Sequence, residues 1–515
     1  MPASNMLLAA GKMRAPAVMM VAWLVAACSS GGTAAPPTNG VDGGVEHAPP
    51  PGAGPDVPAD GGAVDGGAPD DAGGGEPFFL RHDGGFARKI LPVGTGYVVL
   101  YDKPVALREA FGLPSRVLGR VSASGEDRPL YAPATGRQLI DVAAHGSTEL
   151  TVLEAADDGW SLIRLDAEGK KLGETRLSDP AILTDPPVLT PAESTSPIEP
   201  EKRIEERVHD VGRIMADGEQ VFGALRTGRH SVIAYRWHWD GTAYSASWRT
   251  LVVPAHSIPA TAIFGGTYDT FGQLEAHYGV FVGIDADHIG YVGVSHARLE
   301  SGAMVKAHQK VFGEVLVTDP DRLDAFVTRV DAEGVRLGTS VVGTEDDEQL
   351  YELRAGRHGV YALGRSEHWN AQGTGFDAMV AHVSPRGEVT MRRFDVDAGD
   401  IAFDALEETD GSLLVVGASG YSQNPSGASI NEASQAFARR LRKDGTTEAI
   451  ALPLPSSAPR HNEARFLVRH DDGTLVVAGM TDGPGTHSAD GDATLLRATG
   501  WVAQLRDERR IVPPR

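Results

Sequence analysis

This chain lacks almost everything that usually announces chemistry. It has one cysteine in 515 residues, Cys28, so no internal disulfide can form and no cysteine-based metal cluster or redox pair is available. No run of about 20 apolar residues occurs, which excludes a hydrophobic spanning helix. Aromatic residues are only 6% of the total. Basic residues are outnumbered, giving a formal charge of −22. No His-Glu-x-x-His, no Gly-x-Ser-x-Gly elbow, no phosphate-binding glycine loop and no EF-hand spacing is present, so the common hydrolase, nucleotide and calcium signatures are all missing.

What is there begins at the N-terminus. Lys12 and Arg14 precede an apolar stretch, Ala15 to Ala27, that ends in small residues, which is the plan of a secretory signal. The order Leu24-Val25-Ala26-Ala27-Cys28 resembles a bacterial lipobox. That resemblance implies cleavage before Cys28, acylation of its thiol and amino group, and anchoring by two or three acyl chains, which is stable where one would be marginal. Ser29 rather than an aspartate after the cysteine points to the outer membrane, by analogy with enteric sorting. Residues 1–27 are therefore read as a lipoprotein signal peptide.

Residues 28–76 hold no Lys, no Arg and no aromatic residue, but repeated Asp-Gly-Gly at Asp42, Asp60 and Asp65. Too little apolar surface is available to offset the entropy of ordering, so this segment reads as a disordered tether. Removing the signal leaves −24, and setting aside the tether's eight acids leaves −16 on residues 77–515. Such a body repels phosphate backbones and anionic surfaces, which argues against nucleic acid as a partner. The expected membrane attachment is through the lipid alone.

The body, 77–515, is repetitive. A glycine turn followed by a short apolar run recurs at Gly96-Tyr-Val-Val-Leu, Gly218-Glu-Gln-Val-Phe, Gly279-Val-Phe-Val, Gly359-Val-Tyr-Ala-Leu-Gly364, Gly411-Ser-Leu-Leu-Val-Val-Gly417 and Gly473-Thr-Leu-Val-Val-Ala-Gly479, with a weaker copy at Glu149-Leu-Thr-Val-Leu153. A second, alternating element closes on another turn: Trp160 to Gly169, Asp324 to Gly334, Asp377 to Gly387 and Gln435 to Gly445. Each reads as a strand, with the glycines supplying the positive φ that hairpin turns demand. Seven starts at blade-sized spacing predict an all-β protein, a β-propeller of seven blades. Six and eight stay open, because 286–319 is irregular and Gly313-Glu-Val-Leu-Val317 would serve as a further start. Two β-sandwiches in tandem are the competing architecture.

Asp324 to Gly334 with Val341-Val-Gly-Thr-Glu-Asp-Asp347, and Asp377 to Gly387, resemble the bacterial seven-bladed propeller repeat; Asp410 to Gly417 and Asp472 to Gly479 are similar to the related delta-60 repeat. The resemblance covers about 320–480 and implies a fold rather than a chemistry. It assigns no catalytic residue and no cofactor.

Candidate site residues are few. Asp285, Asp287 and His288 form a compact Asp-x-Asp-His with the donor types of a metal site, or a simple turn. Glu345 to Glu348 crowd four acids, as in a cation site or in the solvated turn where the repeat places them, Asp395, Asp397 and Asp400 are three more, and His461-Asn462-Glu463 read as surface residues of a loop. Tyr235, Trp237 and Trp239 alternate along one strand, so they share a face suited to packing between blades or to stacking on a sugar. Residues 180–207 are proline-rich and then charged, a candidate docking arm, and 420–432 form a polar insertion.

These features predict a monomeric, non-catalytic, lipid-anchored cell-envelope propeller that binds a protein or a surface polymer. An outer-membrane assembly or scaffold factor, and a polysaccharide-acting enzyme with acids converging at the channel mouth, are the alternatives.

Overall fold

A computed structural model describes residues 79–82, 86–102, 116–156, 159–179, 212–226, 231–255, 279–296, 298–318, 324–343, 346–370, 373–397, 399–420, 434–452, 454, 462–470, 473–481 and 499–505. The signal, Cys28, the tether, His461 and most of the 180–207 and 420–432 insertions lie outside these residues.

Among the described residues, twenty-eight strands form seven four-stranded antiparallel sheets. With β1 (Phe79–His82) set apart, blade 1 is β2 (Phe86–Val93), β3 (Gly96–Asp102), β4 (Arg116–Val121) and β5 (Asp127–Tyr131). Blade 2 is β6 (Arg137–His145) to β9 (Lys171–Arg176), and blade 3 is β10 (Gly212–Asp217) to β13 (Tyr244–Val253). Blade 4 is β14 (Val280–Ile284), β15 (Gly290–His296), β16 (Asp324–Val330) and β17 (Arg336–Val342). Blade 5 is β18 (Asp347–Ala355) to β21 (Val389–Phe394), and blade 6 is β22 (Ile401–Glu407) to β25 (Thr447–Ile450). Blade 7 joins the two ends of the body: β26 (Asn462–Arg469), β27 (Leu475–Thr481) and β28 (Thr499–Leu505) are completed by β1 (Phe79–His82), whose Leu80 pairs with Val502. Sharing that outer strand closes the seven-bladed ring with main-chain hydrogen bonds.

The apolar side chains show why the blades must stack. Buried residues divide into seven large clusters, each drawn from two neighbouring blades, and the seam between blades 7 and 1 is packed by Ala87, Ile90 and Val99 against Phe466, Val476 and Val502. No blade has a core of its own, as expected of a repeat unit that exposes one apolar face until a neighbour covers it.

Five of the seven innermost strands carry a β-bulge at one place: after Ala87 in β2, Leu139 in β6, Leu350 in β18, Ala402 in β22 and Ala464 in β26. The bulge explains a repeated glycine. Opposite it in blades 5, 6 and 7 stand Gly364, Gly417 and Gly479, where a Cβ would come within 1.8–2.0 Å of the carbonyl oxygens of Gln349, Ile401 and Glu463. The closing glycine of the Leu-Val-Val-Gly pattern is thus a close-approach residue, leaving room for the extra residue across the ladder.

Six of the seven recurring apolar runs form the second strand of a blade, but the run after Gly279 is the first strand of blade 4. Blade 4's second strand, β15, and helix α1 (Arg298–Phe312) occupy the stretch that had no regular pattern, and Gly313 to Val317 follow the helix as a non-strand segment rather than opening an eighth blade. Met304 and His308 bury one side of α1 against blades 3 and 4, so tertiary packing supplies the amphipathic signal that the sequence shows only weakly.

Candidate functional site at the ring axis

The first strands of the blades surround the axis, and the side chains that follow their bulges bring charge there. Lys89 (β2), Asp141 (β6), Arg213 (β10), Glu352 and Arg354 (β18) and Asp404 (β22) form one connected group of three cations and three anions. Lys89 Nζ reaches both carboxylate oxygens of Asp141 at 3.0 Å, Arg213 lies 3.6 Å from Asp141 and 3.9 Å from Glu352, and Arg354 chelates Asp404 with two nitrogens. Burial lowers the Lys89 pKa against the pull of Asp141, and burial raises that of Glu352 against Arg213 and Arg354.

Two parts of this group have the same construction. Asp141 of blade 2 takes the cation of Lys89 from blade 1 and accepts the main-chain N–H of Ile214 in blade 3 at 2.8 Å, while Lys89 donates to the carbonyl of that same Ile214 at 3.1 Å. Asp404 of blade 6 takes the cation of Arg354 from blade 5 and accepts the N–H of Leu467 in blade 7 at 2.7 Å, while Arg354 donates to the Leu467 carbonyl at 3.3 Å. Each aspartate is fully buried, with every oxygen engaged. These are three-blade staples: the chemistry of the side chains is spent on joining first strands edge to edge.

The residues singled out in the sequence fall elsewhere. Asp285 is a turn residue, its Oδ1 accepting the N–H groups of Asp287 and Ile289 at 3.0 Å and its Oδ2 the Tyr291 hydroxyl at 2.7 Å. Asp287 is exposed, and His288 turns away to Asp217 of blade 3, with Nδ1 2.8 Å from Oδ1. His288 has φ of 60°, the position that glycine fills in the equivalent turns at Gly169, Gly334 and Gly445, and it is the one non-glycine with positive φ among the described residues. Tyr235 and Trp237 stack at 4.9 Å inside the blade 2–blade 3 cluster and are 2% exposed, with Trp239 partly covered beside them, so this face packs between blades and presents no platform to a sugar. Asp347, Glu348, Asn462 and Glu463, expected in solvated turns, are buried at the starts of β18 and β26; Glu348 accepts from the Ser366 hydroxyl at 2.9 Å and Asp346 pairs with Arg393. Among the described residues no group of three or more histidine, cysteine or acidic side chains is placed to hold a metal ion.

The axial charges were not singled out from the sequence, although a signal exists: Lys89, Glu352 and Asp404 each precede a recurring turn glycine, Gly96, Gly359 and Gly411, by seven residues. Each turn was visible, but a single charged residue in a mostly apolar strand gave no reason to connect it with the others.

The connections differ sharply between the two faces of the ring. A four-stranded meander alternates its links, so those between strands one and two and between three and four emerge on one face, and all others on the opposite one. On the first face the links are tight turns such as 94–95, 167–170, 331–335 and 442–446. The strand ends joined by the longer links 103–115, 177–211, 254–279, 297–323, 420–434 and 482–498 all lie at the second. Among the described residues, five of the six exposed large apolar residues belong to blade 4: Val311 in α1, Val315 and Val317 after it, and Val335 and Leu337 at β17.

No protein-family model matches the chain, and no curated protein matches it. Among solved structures it is similar to virginiamycin B lyase from Staphylococcus aureus (9% identity, 84% of this chain and 99% of that chain covered, TM-score 0.42). It is also similar to the polysaccharide lyase Uly1 (11%, 82% and 90%, 0.38) and to the periplasmic gluconolactonase PpgL of Pseudomonas aeruginosa (12%, 75% and 93%, 0.36). The seven four-stranded sheets by themselves make the chain a seven-bladed β-propeller.

Proposed function

We propose that this chain is a non-catalytic binding protein, anchored to the cell envelope through lipid on Cys28, whose propeller engages a protein or a surface polymer with the face that carries the long connections. The observation that carries this reading is that the strand ends joined by the longer links all lie at one face of a ring whose axial charges pair with one another. Binding surfaces built on loops over a rigid scaffold vary without disturbing the core, whereas a catalytic centre needs a poised acid, base or nucleophile. The fully paired Asp141 and Asp404 do not offer one.

The test uses the full chain in its native cell. Replacing Cys28 with Ala is expected to release the protein from the membrane fraction and to abolish incorporation of labelled palmitate. A photocrosslinking residue at Val317, on the long-connection face, is expected to capture one envelope component in constant ratio, while one at Asp444, in a tight turn of the opposite face, captures none. Equal capture at both positions, or none at either from a folded and acylated sample, overturns the face assignment; membrane retention without Cys28 overturns the anchor.

A further inference from the structure

The exposed apolar side chains of blade 4 are gathered by one polar tie. Val311, Val315, Val335 and Leu337 are 52, 71, 57 and 42% exposed. Arg336 donates to both carboxylate oxygens of Glu314 at 2.5 Å, and its guanidinium lies 4.0 Å from the centre of the Phe312 ring. Val311 precedes Phe312, Val315 follows Glu314, and Val335 and Leu337 flank Arg336, so each apolar residue is the chain neighbour of a tied one. The tie brings the end of α1, the segment after it and the start of β17 together at the outermost strand of the blade, and it holds this surface ready-made.

Charges of both signs border it. Lys306 and Lys310, one turn apart on α1, are exposed, and so is Glu333 in the turn that leads into β17. None of these three is ion-paired with a described residue, whereas Glu314 and Arg336 satisfy each other. An anionic surface would meet Glu333 and a body of formal charge −16, which repel it. A matching partner needs an apolar centre with an anion opposite the lysines and a cation opposite Glu333. A two-fold rotation generates that pattern from the surface itself: Lys310 of one copy meets Glu333 of the other, the contact recurs across the axis, and the apolar residues close between them.

We propose that the rim of blade 4 is the contact surface of a two-fold dimer of this chain, with Val311, Val315, Val335 and Leu337 at its centre and Lys310–Glu333 pairs between copies at its border. The four apolar residues expose on the order of 300 Å², under half of the ~800 Å² per partner of a standard interface, so the association is weak and the border charges decide its specificity.

The full chain would be purified in detergent as two populations carrying different tags, mixed, and photocrosslinked through an apolar crosslinking residue at Leu337. Mixed-tag dimers are expected at about tenfold the yield given by the same residue at Asp444, an exposed turn position of blade 6. Lys310→Glu and Glu333→Lys, both at exposed positions that the fold tolerates, are each expected to cut the Leu337 yield about tenfold by setting like charges against one another. The two substitutions in one chain are expected to restore it, because opposite charges face again. Equal yields from Leu337 and Asp444, single variants that leave the yield unchanged, or a double variant that does not recover, each overturn the dimer. The protein is alone in the sample, so none of these outcomes depends on the envelope partner sought at Val317.

Discussion

Blades 1–3 and blades 5–7 are joined at the axis by the same device, whereas blade 4, which stands between them, has none. In each trio an aspartate of the middle blade holds a cation from one side and a main-chain N–H from the other, and the cation returns to the carbonyl of the very residue whose N–H is held. β14 of blade 4 has no bulge and places no charged side chain in the axial group; Phe281 lies 5.9 Å from the Arg213 guanidinium there, and the nearest opposite charges across it, Arg213 and Glu352, are 3.9 Å apart. The same blade carries the strained His288, helix α1 and most of the exposed apolar residues. The difference teaches that a repeat ring does not need seven equal joints: where the axial staple is missing, the apolar cluster between neighbouring blades and the side-packed helix hold the position.

The sharpest way to break this comparison is to remove a staple. Asp404→Ala leaves Arg354 buried without its partner, and a loss of about 3–5 kcal/mol is expected, read as the fall in unfolding midpoint. Asp141→Ala should cost a similar amount through Lys89, while Glu352→Gln, which frees Arg213 only from a 3.9 Å contact, should cost far less. Equal losses at all three would mean that the axis acts as one network and not as two staples and a gap.

Gly417→Ala attacks the backbone geometry that the staple depends on. Its Cβ would stand 2.0 Å from the Ile401 carbonyl oxygen, across from the bulge that aims Asp404, and a cost of roughly 1–3 kcal/mol is expected. Gly445→Ala, in a tight turn with nothing within 4 Å of a new Cβ, should cost only the left-handed backbone, about 1 kcal/mol.

On blade 4 the sign reverses. His288→Gly relieves a φ of 60° that glycine carries elsewhere, and a gain of up to ~1 kcal/mol is expected, set against the lost contact with Asp217. A loss of stability instead would show that the His288–Asp217 contact, together with the Arg236 bond to the His288 carbonyl, outweighs the strain.

The smallest effect is on pH. Between blades 2 and 3 a one-way chain of hydrogen bonds runs from Arg164 to the Tyr244 hydroxyl, to Thr151, to His145 Nε2, and from His145 Nδ1–H to the Gly218 carbonyl at 2.7 Å. The carbonyl can only accept, so a neutral His145 must protonate Nδ1, and every hydroxyl upstream is thereby oriented. Burial holds the His145 pKa below its ordinary 6.5. The unfolded chain therefore binds the proton more readily, and the stability that His145 contributes is fully present above pH 6.5 and is lost as pH falls from there through the lower folded-state value. Equilibrium unfolding of His145→Gln across this range should show a flatter acid limb than the natural protein.

Strand identity was written in the chain itself, because a hairpin needs its glycine locally and a half-buried strand needs its alternation locally: Gly169, Gly334 and Gly445 lie in the turns and Trp160, Asp324 and Gln435 in or beside the third strands that their pattern predicts; the choice of seven blades over six or eight was settled only where α1 and Gly313 to Val317 proved not to open a blade. Local pattern also misled where a turn and a strand share residues, placing Asp347, Glu348, Asn462 and Glu463 in solvent although they open first strands. Only the closed ring decides what those first strands do. Lys89, Asp141, Arg354 and Asp404 are separated by up to hundreds of residues and are ordinary surface types one at a time. Closure, achieved when β1 joins β28, brings seven strand edges to one axis, where burial in a low dielectric turns a scattered set of charges into paired ones.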